Sequence, residues 1–427
     1  MQPPFGLRGE EDSHRGRRIL VVGDVFPWPP RDGYRLRVSG VLDGLGAAGD
    51  VDLFIAAQPG EDEDVVPPAY VGRHDIVAAP PTPRSIGLAL RTVGSRLPRR
   101  VLWRDWSDAR SRLARFASGP YDVVWYSHAD TFAALGDPAL GPAIVDLDNL
   151  EDVILGGSSL WRSMGKLLRP GSAPGSGGKR RFATSLLDVR DAWCWLRVQR
   201  RQATVAEAVV VCSEVDRQRL GSSNSVVVPN AYADPGPPPD TVPTSPTLVM
   251  VAHFVYQPNL DAAAWLVRDV LPMVRRLIPE VQVRLVGHHD HRLPAVAAAS
   301  GVTIVGRVAD VGAELRGARA AIVPVLSGSG TRIKVLEALA YGLPMVTTSI
   351  GCEGIAIEPG RHALVCDEPG DFADACHRVL VDDELWRRLR SAGRTLYLDR
   401  YAWDQLAGRV RDLAGSVIER RSAVRTS

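Results

Sequence analysis

Short apolar runs alternate with helical spacings along most of this chain. From Arg18 it reads RILVVGDVFPWPP, a β-branched run meeting a proline-rich loop, as a buried parallel strand feeding a loop would. In RLRVSGVLDGLGAAG the positions Leu36, Val38, Val41, Leu42 and Leu45 recur at helical intervals, with glycines near the end. VDLFIAA (51–57), YDVVWYSH (121–128), PAIVDLDN (142–149), a run centred on 209–212 and SVVVPN (225–230) supply the other strands of the first half. The alternation restarts with TLVMVAHF (247–254) and a helix from about Asn259. VQVRLVG (281–287), VTIVG (302–306), AAIVPV (320–325) and PMVTTS (344–349) follow as strands. Strands alternating with helices predict parallel sheets covered on both faces, an α/β class with doubly wound domains.

Two stretches break the rhythm. Residues 156–185 are rich in Gly, Ser and Pro, carry Lys166, Arg169, Lys179, Arg180 and Arg181, and read as a mobile insertion ahead of a helix over 186–208. ADPGPPPDTVPTSP (233–246) places six prolines where they disfavour helix and sheet alike, and reads as a linker. A chain of 427 residues suits two hydrophobic cores better than one. The expected organisation is a flexible segment 1–17, an α/β domain 18–232 carrying the insertion, the linker 233–246, a second α/β domain 247–400, and a helix 401–427 packing back on the first domain.

Charge narrows the function classes. With 51 Lys plus Arg against 49 Asp plus Glu, the net charge of +2 gives no global drive toward nucleic acid, and no nucleic-acid partner is expected. Five cysteines form no C-x-x-C pair, which argues against a disulfide framework or structural zinc and suits a reducing compartment. The first eighteen residues lack the apolar core of a secretory signal, and no run is long enough to cross a bilayer. A cytoplasmic protein is expected, free or peripheral at the inner face of the cell membrane. The basic insertion and the Trp-bearing helix after it read equally as a surface for anionic membrane and as a loop on a packed helix.

Neither first strand leads into G-x-G-x-x-G, so a dinucleotide site is not expected. The chemistry concentrates in SGSGTRIKVLEALAYGLP (327–344), a Ser/Gly loop opening into a helix. The N–H groups of its first turn make an anion site, to which Arg332 adds a two-pronged donor and Lys334 a point charge. Glu337 would repel phosphate and suits a hydroxyl donor such as a ribose diol. Two readings stay open on spacing alone: a sugar-nucleotide site, or a solvated helix start with Glu337 stabilised by the dipole. GHHDH (287–291) reads as a solvated turn, since adjacent histidines point apart. Asp146, Asp148, Asn149 and Glu151 cluster after a strand, where Asp148 or Asn149 reads as a helix cap in preference to a base for an inverting transfer. No Asp/His group has ligand spacing for a metal, and none is expected.

GTRIKVLEALAYGLPMVTT, continued by SIGCEGIAIEPGRHALV, resembles the donor-binding region of GT-B glycosyltransferases of retaining family 4. YQPNLDAAAWLVRDVLPMV, VTIVGRVADV and GRTLYLDRYAWDQL extend the match through the carboxyl half, and FPWPPRDGYRLRVSGVLDGL and VVVPNAY carry it into the amino half. The resemblance implies two Rossmann-like domains facing each other across a cleft. It implies a glycosyltransferase taking a sugar from a nucleotide-diphosphate sugar to a hydroxyl acceptor, which is lipid-linked for many related enzymes, with retention and without metal or other cofactor. It assigns Glu337 to the ribose, Arg332 and Lys334, with the amides of Gly330 and Thr331, to the diphosphate, and Ser329 to the donor-binding position beside the sugar. Gly306 and Arg307 fall beside the base, Gly33 at a loop near the phosphates, and His128 on the sugar side. The chain departs from the family at Ser329 (a glutamate in many members), at Tyr34 after Gly33, at Ala252-His253, and at Tyr256-Gln257-Pro258-Asn259, where an Arg/Lys pair is frequent. A nucleotide-sugar epimerase and a non-catalytic scaffold are the competing readings.

Overall fold

The apolar runs form two all-parallel sheets. The computed structural model describes residues 16–30, 32–57, 65–80, 92, 95–150, 178–299, 301–327 and 332–426. The chain divides into two compact units, Met1–Val228 with Leu406–Ser427, and Pro229–Gln405.

In the first unit β1 (Arg18–Gly23), β2 (Asp50–Ala57), β3 (Val71–Ala78), β4 (Val123–Ser127), β5 (Ala143–Leu147), β6 (Ala208–Val211) and β7 (Ser225–Val227) pair in the order β3-β2-β1-β4-β5-β6-β7. Ile19, Leu20, Val21 and Val22 of β1 are fully buried, because a central parallel strand is covered on both faces. Strand β3 escaped the sequence pattern. It is an edge strand whose Arg73 and Asp75 are spent on pairs with Asp52 and Arg112, so VGRHDIVA shows no apolar run.

Helix α1 (Gly33–Gly46) starts at Asp32, whose side chain accepts from the Arg35 amide at 2.9 Å. Helix α2 (Ala129–Leu135) follows β4, and α3 (Gly178–Val205) precedes β6. The start of α3 corrects one expectation: residues 178–185 are helical rather than part of a mobile insertion. Lys179, Arg180, Arg181 and Ala183 are good helix formers, and the Gly-, Ser- and Pro-rich run before them had suggested a loop. The rest of the expected insertion, and Glu151, lie outside the described residues.

The second unit pairs β8 (Thr247–Val251), β9 (Gln282–Val286), β10 (Val302–Gly306), β11 (Ala320–Val323), β12 (Met345–Thr347) and β13 (Leu364–Val365) in the order β10-β9-β8-β11-β12-β13. Helices α4 (Gln257–Trp265), α5 (Ile333–Ala340) and α6 (Asp383–Arg400) pack around it. The proline-rich segment 233–246 belongs to this unit. Arg394 pairs with Asp234 at 2.6 Å, and Arg390 and Arg319 donate to the carbonyls of Pro238 (2.7 Å) and Pro243 (2.9 Å). The terminal helix α7 (Trp403–Thr426) belongs from Leu406 to the first unit. There Gly44 of α1 admits it: a Cβ at that position would lie 2.6 Å from the Ala407 carbonyl oxygen.

Both sheets reverse their winding once, between β1 and β4 in the first and between β8 and β11 in the second. In open α/β sheets ligands bind outside the carboxyl ends of the strands at such a switch point. No described helix is long and apolar enough to cross a membrane.

Candidate active site

The first switch point gathers Asp24 after β1, His128 after β4 and Asp148 after β5. His128 turns the chain from β4 into α2 with φ of 77°, a left-handed conformation uncommon outside glycine. Its Nδ1 lies 3.2 Å from Asp24 Oδ2 and its Nε2 2.9 Å from Asp148 Oδ1. The Tyr34 ring stacks on the imidazole, centroids 4.0 Å apart, and the Tyr34 hydroxyl donates to Asp24. Burial alone would favour a neutral imidazole, but Asp148 and Asp24 outweigh it and hold His128 well above its ordinary value of 6.5. Burial likewise disfavours charge on Asp148, yet the imidazolium keeps that carboxyl below its usual range. His128 is therefore a cation at neutral pH, a donor through both ring nitrogens, and cannot serve there as a general base.

This geometry revises the acidic cluster read as helix capping. Asp148 is engaged by His128, while Asp146 takes Arg37 in a buried two-pronged pair, Nη2–Oδ1 2.6 Å and Nε–Oδ2 2.9 Å. Burial disfavours the guanidinium charge, and Asp146 more than restores it. The chain also brings together a group that linear spacing hid. Asp24, His128 and Asp130 each offer an atom within 4.8 Å of the others, a possible cation-binding set. A divalent ion there would compete with the imidazolium and with Arg100, which lies 3.5 Å from Asp130.

The second switch point is formed by the loops after β8 and β11. Helix α5 buries Val335, Leu336, Ala338 and Leu339, which fixes its amino end at the mouth of the sheet. Arg332 occupies the N-cap position. Lys334, in the first turn, donates to Asn259 Oδ1 at 2.8 Å, and Asn259 Nδ2 is anchored on the His253 carbonyl at 2.9 Å. Burial, reinforced by Arg332 and only partly opposed by Glu337, pushes Lys334 down to about 7. Burial also lowers Arg332, against smaller opposing contributions from Tyr256 and Glu353. Glu337 is 8% exposed and accepts from the Tyr232 hydroxyl at 2.8 Å. Burial raises its carboxyl, partly offset by Tyr232 and then Lys334.

Of the residues expected from sequence, Arg332, Lys334 and Glu337 thus share one helix. Ser329, Gly330 and Thr331 lie outside the described residues. Gly33 opens α1 beside Tyr34. Gly306 ends β10 with φ of 77° and accepts from the Gly287 amide at 2.7 Å, while Arg307 is exposed. In GHHDH, Asp290 is taken by Arg292 at 2.7 Å and His288 lies against His253. Sequence reasoning missed Asp24, Tyr232 and the anchoring role of Asn259. Asp24 had one available signal, its place directly after the first strand.

Two Rossmann-like units with these strand orders define the GT-B fold, and known structures agree. Sucrose-phosphate synthase from Thermosynechococcus elongatus superposes with a TM-score of 0.64 at 17% identity, over 96% of this chain and 100% of that one. The Anabaena protein HepE, in complex with UDP and glucose, gives 0.62 at 10% identity, over 94% and 100%. Residues 245–382 match the family model described as Glycosyl transferases group 1, so the second unit carries a domain of that family. The phosphatidyl-myo-inositol mannosyltransferase of Mycobacterium leprae is 28% identical over 149 residues, 33% of this chain; the chain matches 40% of the length of that relative.

The ion network makes a direct prediction for His128. A raised folded value means that its contribution to stability is fully present below pH 6.5 and is lost as pH rises through the folded value. Histidine ring ¹⁵N spectra should show His128 still protonated well above pH 6.5, and Asp148→Asn should lower its midpoint by about 1–3 pH units. A wild-type ring that deprotonates at or below pH 6.5 contradicts the network.

Proposed function

We propose that the protein is a glycosyltransferase that moves a sugar from a nucleotide-diphosphate sugar to a hydroxyl acceptor, with retention. The observation that carries the reading is the placement of Arg332 and Lys334, both half-buried, at the amino end of α5, one turn from Glu337. An anion seated there meets helix N–H groups and two desolvated cations, and a hydroxyl donor next to it meets a carboxylate. A sugar nucleotide offers both, as its diphosphate and its ribose. The UDP in the HepE complex supports this class of donor.

As the glycosidic bond breaks, negative charge grows on the leaving diphosphate. Arg332, Lys334 and the helix end supply fixed positive charge for it, so the mechanism needs no metal. In the front-face transfer proposed here the leaving phosphate oxygen takes the acceptor proton. His128, an imidazolium whose two ring N–H groups are taken by Asp24 and Asp148, serves the sugar side as a fixed positive charge rather than as a base.

The test pairs binding with turnover. A panel of sugar nucleotides is screened by thermal stabilisation, where a ligand at a hundred times its dissociation constant adds about 2.7 kcal/mol. One nucleotide series should stabilise the wild type, and Arg332→Ala should weaken that series by about 10- to 150-fold. Release of nucleoside diphosphate should require an acceptor. Turnover without acceptor would make the protein an epimerase, and binding without turnover a scaffold.

We further propose a lipid-linked acceptor met at a membrane surface. The mycobacterial relative is named for a phosphatidyl-inositol acceptor. On α3, Val189, Trp193 and Val205 are 45, 51 and 61% exposed, Arg197 lies over the Trp193 ring at 4.7 Å, and Arg200 and Arg201 are exposed. The protein should co-sediment with vesicles containing phosphatidylinositol, and Trp193→Ala with Arg197→Glu and Arg200→Glu should release it. Equal binding of wild type and triple variant would rule this surface out.

A further inference from the structure

The proposed transfer gives Tyr232 no part, yet its side chain makes the one hydrogen bond to the Glu337 carboxylate found among the described residues. Its hydroxyl donates to Oε1 at 2.8 Å, and no described residue donates to Oε2. The phenol is delivered on a rigid mount. The Tyr232 amide donates to the Tyr401 carbonyl at 3.0 Å, and the Tyr232 carbonyl accepts from the Tyr397 hydroxyl at 2.9 Å. A parallel bridge to Ala402 completes the backbone pairing, and the ring lies tilted against Tyr341, centroids 6.4 Å apart. Three independent contacts thus fix a side chain whose reach ends on one carboxylate oxygen.

We propose that Tyr232 is a positioning residue for donor binding: its hydroxyl holds Oε1 of Glu337 and so leaves Oε2 to accept from the ribose hydroxyls of the nucleotide. The inference rests on the sugar-nucleotide reading for its ligand and goes beyond it in naming what orients the carboxylate. A carboxylate on a helix rotates about its terminal torsion, and a donor bonded to one oxygen fixes the direction of the other. Burial and Glu337 both hold the phenol protonated, so Tyr232 remains a donor through the whole working range. The same bond opposes the rise that burial imposes on the Glu337 carboxyl. Without the hydroxyl the carboxyl takes up a proton at higher pH, and the protonated form is the poorer acceptor.

The experiment measures affinity by calorimetry for UDP, GDP, their 2′-deoxy analogues and inorganic pyrophosphate, between pH 5 and 8, on wild type and Tyr232→Phe. Wild type should prefer the ribonucleotide to its deoxy analogue. Tyr232→Phe should shrink that preference by about 2- to 13-fold, leave pyrophosphate affinity unchanged, and move the acid loss of nucleotide affinity to higher pH. Tyr397→Phe loosens the mount without touching the hydroxyl; it should shrink the ribose preference in the same direction and leave pyrophosphate affinity unchanged. An equal loss of pyrophosphate and nucleotide affinity in Tyr232→Phe would mark a structural effect and overturn the positioning role. In a double-mutant cycle with Glu337→Gln, the ribose preference should be non-additive. An unchanged preference and acid limb in Tyr232→Phe, or additive effects in the cycle, overturn the positioning role while leaving the sugar-nucleotide reading intact. A wild type that ignores the 2′-hydroxyl, or binds none of the probes, overturns both.

Discussion

Burial disfavours the charge on both Arg332 and Lys334, and the second unit is arranged around that constraint. The apolar face of α5 seats the helix with its amino end at the switch point, so both cations are carried into a desolvated corner. Asn259, a neutral amide, is the partner of the Lys334 ammonium, and Glu337, whose carboxylate partly offsets the fall of Lys334, is bound by Tyr232. A protein that needed only stability would give a buried lysine a carboxylate or replace it with an apolar residue. Positive charge kept at a disadvantage is regained when an anion arrives. That is the electrostatic preorganisation required for a leaving diphosphate.

The first unit solves the opposite problem. His128 is a half-buried cation set between Asp24 and Asp148, with Tyr34 stacked on its face. Its charge is stable and its orientation is fixed by both nitrogens. One unit therefore holds a lysine ammonium whose partner is a neutral amide, and the other a cation set between two carboxylates. This contrast suits the binding role proposed for Arg332 and Lys334 and the different role proposed for His128.

Much of the fold was legible because buried parallel strands are continuous apolar runs, and eleven such runs appear in the sequence as strands of the two sheets. The exceptions are physical. Strand β3 lies at an edge and spends its polar residues on ion pairs, and β13 is only two residues long. The start of α3 carries so much charge that helix and loop look alike. In the site, Arg332, Lys334 and Glu337 could be found because all three lie within one turn and a half of helix. Asp24 and His128 are 104 residues apart, and Tyr232 and Glu337 105 apart, so only the folded chain joins them. Tyr34 was visible as a departure from the family pattern, but its stacking on His128 was not.

The central claim is that Lys334 becomes fully charged when the diphosphate binds. Calorimetry of sugar-nucleotide binding at pH 8, in two buffers of different ionisation enthalpy, measures the protons exchanged. With Lys334 near pH 7 in the unliganded protein, binding should take up close to one proton, and Lys334→Met should abolish the uptake. Binding whose enthalpy is the same in both buffers would mean that Lys334 is already charged before the ligand arrives, and would contradict the account.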